Sequence, residues 1–322
     1  MKKMKPVLAG EWKLIGTNPD LGGLGTPKQQ CVDHHVFRAE DGQWHLWGCI
    51  RGTRFGRLLY HWKSKRLYEE NWEQTGECFF PLARAGESID APWHEHWIQS
   101  PFFVKADGQY YMFYGGHATG YDMNYRPIAF EDLSGGKCDS ACQICLMTSP
   151  DGIVWTRHED EKGFSRLFTG PGETRDPCLI KVGNLWHMYY AGNHSEEGQL
   201  IAATYLRTSE DLLHWSNYKV VAYDPRFTTI RWCFECPHVV EREGYYYLFI
   251  TKDYASKETL VYRSCDPTDF GIGAEAAEDH FVCKIAVGAP EIIIDANRDE
   301  YITSNHDLAG GTRLCPLKWE EE

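Results

Sequence analysis

One phrase, an acid just ahead of a proline and then a short apolar strand, a tight turn and an aromatic strand, recurs through this chain and limits what it can fold into. It reads Thr174-Arg175-Asp176-Pro177-Cys178-Leu179-Ile180 followed by Leu185-Trp186-His187-Met188-Tyr189-Tyr190, and again Phe234-Glu235-Cys236-Pro237-His238-Val239-Val240 followed by Tyr245-Tyr246-Tyr247-Leu248-Phe249. With the proline as marker, further copies sit at Pro101 and Pro290, and His34 takes the same place nearest the N-terminus; the markers lie between 53 and 76 residues apart. Gly42, Gly108, Gly183 and Gly244 supply the turns in four copies, and Ala296-Asn297-Arg298-Asp299 supplies the fifth. Glycine between two apolar runs is a hairpin signal.

Two copies close on a Ser-x-Asp-x-x-x-Trp turn, Ser149 to Trp155 and Ser209 to Trp215, and Cys265 to Phe270 is a degenerate third. The sequence offers no amphipathic helix of useful length. Repeats of this period, each a few strands long, predict a radial all-β architecture: a five-bladed β-propeller in a single domain over residues 1–322. Its blades start near residues 33, 99, 176, 235 and 289, and residues 1–30 lend a strand to the last. The competing arrangement is a β-sandwich whose hairpins merely look alike. Residues 115–141 interrupt the second repeat, and an insertion of that length between strands is expected to form a pocket wall.

The balance of 33 basic against 46 acidic residues, a net charge of −13, repels phosphate backbones and argues against a nucleic-acid partner. No apolar run is long enough for a membrane helix, and the basic start Met1 to Lys5 is not followed by a signal-peptide apolar region. A cytoplasmic location with reduced thiols is therefore expected, the twelve cysteines serving mainly as small core residues.

In a propeller the inner strands begin near the axis, so residues at those starts converge. Asp33, Asp176 and Glu235 fall there, whereas the second and fifth repeats carry the neutral pairs Gln99-Ser100 and Gly288-Ala289. Carboxylates gathered in one cleft repel one another, which separates their acidities, and glycoside hydrolysis uses one protonated and one ionised carboxyl group. Aromatics and donors near the mouth, namely Trp93, His96, Trp97, Gln99, Arg175 and Trp232, are candidate sugar contacts.

Arg175-Asp176-Pro177 and Glu235-Cys236-Pro237 resemble two signature motifs of glycoside hydrolase family 32. The pattern of Asp, Asp and Glu on the first, third and fourth repeats is similar to the wider five-bladed superfamily, family 43 included. That resemblance implies an O-glycosyl hydrolase of arabinofuranosidase-, xylosidase- or fructofuranosidase-like type, taking part in carbohydrate or polysaccharide breakdown and acting on an oligosaccharide or glycoside. Glu235 would be the general acid, Asp33 the nucleophile or the base that activates water, and Asp176 a ligand of sugar hydroxyls. Val32-Asp33-His34-His35 departs from the family 32 motif at this place, which puts fructose specificity in doubt, and there is no room for a C-terminal β-sandwich. His306 resembles a fifth-blade histidine that faces a calcium or a water in some family 43 enzymes; no catalytic metal or cofactor is implied.

The alternatives are a carbohydrate-binding propeller without catalysis and a phosphate-dependent glycoside phosphorylase. Cys138-x-x-x-Cys142-x-x-Cys145 has an iron–sulfur spacing but lacks the helices such a site is built on. Cys233-x-x-Cys236 is a single pair, weak for zinc. His34-His35 and His94-x-His96 are read as hydrogen-bonded pocket residues rather than metal ligands.

Overall fold

A computed structural model describes residues 2–87, 96–116, 142–196, 199–227, 234–305 and 310–322. It is built from β-strands with one α-helix among the described residues, and no helix is long and apolar enough to cross a membrane. Contacts divide the chain into two compact units, Leu14–Pro177 with His306–Thr312, and Met1–Lys13 with Cys178–Asn305 and Arg313–Glu322.

The unit containing Leu14–Pro177 holds two antiparallel meanders. Gln30–Arg38, Trp44–Arg51, Gly56–Ser64 and Glu73–Phe79 form the first; His96–Ala106, Gln109–Gly116 and Gln143–Ser149, with Thr156–Arg157 and Arg166–Thr169 on the latter, form the second. A parallel bridge, Gly56 to His96 and Arg57 to Trp97, joins them into one nine-stranded sheet. Alternate residues point inward as the period of a strand requires. Val32, Trp47, Cys49, Leu59, Ile98, Phe103, Met112, Tyr114, Cys145 and Met147 therefore share one core.

The other unit contains the four-stranded sheet that starts at Glu235–Arg242, the greater part of another whose first strand, Arg175–Val182, enters the unit at Cys178, and a sheet in which Ile292–Ile294, Glu300–Ser304 and Thr312–Glu321 are followed by Met4–Leu8. Met4 to Leu8 pair antiparallel with Glu321 to Leu317, so the outermost strand of that sheet comes from the beginning of the chain. The hairpins expected from glycine are two-residue turns at Asp107-Gly108 and Glu243-Gly244. All four of these residues have positive φ, the mirror-image turn that matches strand twist.

The Ser-x-Asp turns are alike in detail. Ser149 Oγ accepts the Gly152 N–H at 2.8 Å while Asp151 Oδ1 accepts those of Ile153 and Val154 at 2.8 and 2.9 Å. Ser209 and Asp211 repeat this with Leu212, Leu213 and His214. In the third copy Ser264 Oγ accepts the Asp266 N–H, Asp266 accepts from Thr268, and the buried Phe270 stands where the others have tryptophan. The described residues include one short helix, Ala274–His280. It is seven residues long and starts at Gly273 without a side-chain cap, too short to print a helical period on the sequence.

Candidate active site

The five markers share a backbone feature that the sequence did not reveal. The residue ahead of each marker has positive φ: Asp33 at 39°, Ser100 at 53°, Asp176 at 57°, Cys236 at 50° and Ala289 at 47°. A residue before proline ordinarily prefers extended backbone, and the left-handed region strains any residue bearing a Cβ. The ladder accounts for the distortion. Proline has no N–H to donate, so within a strand it sits at a bulge. Pairing accordingly slips between Gln99 and Phe102 and between Glu235 and His238. It slips in the first repeat too, between Val32 and His34, although no proline is present there. A bulge leaves one residue out of the ladder and re-aims its side chain.

Asp33 and Ser100 thus lie inside the strands Gln30–Arg38 and His96–Ala106, rather than ahead of them as the sequence suggested. The left-handed positions also sort the acids. Asp33 and Asp176 occupy them, but in the fourth repeat the position belongs to Cys236, and Glu235 precedes it, equivalent to Val32, Gln99, Arg175 and Gly288.

Asp33 and Asp176, both in the first unit described, are brought together. Carboxylate oxygens of the two lie within 4.8 Å, and the residues are only 8% and 6% exposed. Ser100, from the repeat between them, donates its hydroxyl to Asp176 Oδ1 at 2.5 Å. Arg175 lies 3.8 Å from Asp176 Oδ2 and 3.5 Å from Glu173 Oε2, and donates to the Glu173 carbonyl at 2.6 Å. A Cβ on Gly115 would fall 3.3 Å from Gln99 Cγ and 3.5 Å from Arg175 Cβ, so glycine here lets those two side chains lie against the strand.

Gln99 accepts a hydrogen bond from Arg57, whose guanidinium also lies 4.3 Å from the centroid of the Trp97 ring. One face of Trp97, expected to stack on sugar, is therefore covered by a cation. Arg57 and Ser100 were missed as site residues. Ser100 is legible as the neutral member of the repeated position; Arg57 carries no motif.

In the other unit Glu235 is buried, 7% exposed, and pairs with Thr251. The Thr251 hydroxyl accepts the Ala289 N–H at 2.9 Å, tying the fourth repeat to the left-handed residue of the fifth. Cys236 Sγ lies 3.1 Å from the Tyr254 hydroxyl. His238 Nε2 accepts the Ile292 N–H at 3.0 Å, which leaves the ring proton on Nδ1, 3.8 Å from Cys178 Sγ.

Of the remaining expectations, Trp93, Trp232 and His306 lie outside the described residues, as do Arg231, His94, Cys138, Cys233 and the insertion from residue 117 to 141. His96 is described only as the first residue of its strand. The ten described cysteines are free thiols, six of them buried. Burial pushes the Cys145 thiol up, and it packs in the apolar core beside Ile98 and Tyr114, surroundings suited to a neutral thiol rather than to a cluster ligand. His35 packs edge-on against Phe102 with centroids 4.2 Å apart, and burial pushes it down to about 3.

No family model and no curated protein matches the sequence. Solved structures do match. A thermostable family-43 glycoside hydrolase superposes with a TM-score of 0.59 at 16% identity, over 94% of this chain and 92% of its own. The Bombyx mori GH32 β-fructofuranosidase gives 0.59 at 14%, over 92% of this chain and 61% of its own. The GH43 endo-arabinanase of Bacillus licheniformis gives 0.55 at 15%, over 95% and 96%. At such identities the likeness is one of fold, that of the family 43 and family 32 β-propeller enzymes.

Proposed function

We propose that this chain is a five-bladed propeller glycoside hydrolase acting on a furanoside or related glycosidic bond. Its partner is an oligosaccharide or simple glycoside, and its chemistry runs without a cofactor. The observation that carries the reading is the buried pair Asp33 and Asp176, held at equivalent bulges of a repeated strand on a fold used by family 43 and family 32 glycoside hydrolases. Fold alone does not assign chemistry; a repeated backbone distortion spent on two acids adds to it, because strain of this kind collects at functional sites.

In this reading Glu235 protonates the leaving oxygen. Asp33 attacks the anomeric carbon or deprotonates the attacking water. Asp176, its Oδ1 already engaged by Ser100, offers its other oxygen to sugar hydroxyls, with Arg175 beside it. Which course Asp33 takes depends on its separation from Glu235, about 5–5.5 Å for a retaining pair and about 6.5–9.5 Å for an inverting one. A calcium near His306 belongs to the same proposal.

The test is Glu235→Gln on a panel of aryl arabinofuranosides, xylosides and fructans. Turnover should fall by about 10²–10⁴-fold, and substrates with activated leaving groups should suffer least, since they need no proton from Glu235. Undiminished turnover would remove Glu235 from the mechanism. Failure of the wild type on the whole panel would favour a binding protein.

A further inference from the structure

Arg57 is out of keeping with its surroundings. In a chain where acids outnumber bases by 46 to 33, a partly buried guanidinium is expected to find a carboxylate, because an uncompensated charge loses hydration without return. Among the described residues no carboxylate lies within ion-pair distance of Arg57; its contacts are the Gln99 amide oxygen and the Trp97 ring. Both fix the planar group in place. Of the five N–H donors a guanidinium offers, the Gln99 oxygen takes one hydrogen bond.

The location adds to this. Arg57 is the second residue of the strand Gly56–Ser64 and is bridged to Trp97. Gln99 follows two residues later, then Ser100, which holds Asp176. The Cys49 thiol, pushed up by burial, is eased down by the charge of Arg57 and pushed further up by that of Asp33, so cation and acid act on the same neighbourhood. Arg175, which shares with Gln99 the space over Gly115, is already engaged by Glu173 and Asp176. Arg57 is left without a carboxylate among the described residues.

We propose that Arg57 is an oxyanion-binding residue of the Asp33–Asp176 site, and that the ligand there carries a carboxylate on its sugar or is accompanied by free phosphate. With the carboxylate on the sugar the inference deepens the glycosidase reading, with phosphate it puts phosphate in the place of the attacking water, and in both it rests on that reading for the sugar but not for the anion. A planar fork held by stacking and by an amide is preorganised for bidentate recognition of carboxylate or phosphate, so little ordering is lost on binding.

The experiment is equilibrium binding by calorimetry at low salt, on the full chain. Three probes are used: glucuronate, its neutral counterpart glucose, and inorganic phosphate. One of the two anions should bind where glucose does not, and Arg57→Gln should weaken it by at least tenfold, with Arg57→Lys intermediate. Glucuronate binding places the anion on the sugar; phosphate binding, with glycoside turnover that rises with phosphate, places it in the co-substrate. The proposal is overturned if neither anion binds the wild type, or if Arg57→Gln binds as the wild type does. It is overturned equally if Arg57→Gln shifts the pH optimum without changing anion affinity, which would make Arg57 a partner of the acids. Anion binding by the wild type is read without turnover, so an inactive protein sinks the glycosidase reading and not this one.

Discussion

At the scale of single residues, the repeated left-handed position shows how one backbone device serves different side chains. Aspartate tolerates this region better than most residues, so Asp33 and Asp176 occupy it at modest cost. Ala289 has no such excuse. Its φ of 47° carries a Cβ into the left-handed region, a strain of about 1–2 kcal/mol, and its side chain supplies no polar group in return. Ala289→Gly is expected to stabilise the protein by up to about 1 kcal/mol after the added chain entropy is subtracted, read as a higher urea midpoint at unchanged slope. A lower midpoint would mean that the methyl group packs for more than it strains. The acids themselves were legible in the sequence because they precede a marker. The offset between Glu235 and the other two became meaningful only with the backbone, since a proline-induced bulge gives neighbouring residues different roles.

At the scale of elements, the short segment Leu82 to Glu87 is bound to its sheet by a carboxylate with no exposure. Glu87 Oε1 accepts from Arg157 at 2.7 Å, from Ser165 at 2.9 Å and from the Tyr114 hydroxyl; Oε2 accepts from Arg157 at 2.9 Å and from the Leu82 N–H at 3.0 Å. An ion buried this way is sustained only by its full set of partners. Glu87→Gln should cost about 3–5 kcal/mol, whereas replacing Glu87 and Arg157 together by residues of similar volume should return much of that loss. Urea unfolding of the two variants checks it, and a loss below about 1 kcal/mol for Glu87→Gln would show that the charge is not what anchors the segment. Nothing in the sequence flagged Glu87, because its donors come from three separate stretches. The two-residue hairpin turns and the Ser-x-Asp turns were legible because the hydrogen bonds that close them lie within five residues. Local chemistry writes itself into sequence; long-range satisfaction does not.

At the scale of the whole molecule, the repeat pattern and the shared fold could be read from the spacing of markers, strands and turns. What spacing could not convey was how completely the interior would take in titratable rings. His35 is pushed down to about 3 by burial. His61 is pushed down to about 3 by burial first and then by the charges of His45 and Lys63; its Nε2 lies 2.9 Å from His45 Nδ1 and its Nδ1 lies 3.0 Å from Thr75 Oγ1. Both rings stay neutral in the native state while their unfolded counterparts take up a proton near pH 6.5. The unfolded state therefore binds more protons between pH 6.5 and about 3, and stability must fall as pH falls through that window. Each histidine contributes a slope of about 1.4 kcal/mol per pH unit. Between pH 7 and pH 5 the depressed carboxyls of Asp151 and Asp266, held by backbone N–H groups, remain ionised in both states and add nothing to the slope, while His187, also pushed down by burial, adds in the same direction as His35 and His61. The urea midpoint should drop steadily from pH 7 to pH 5, and His61→Gln should make the drop shallower. A midpoint that does not move across that interval would mean that neither ring is kept from its proton, and the packing around Phe102 and His45 would have to be looser than the structure draws it.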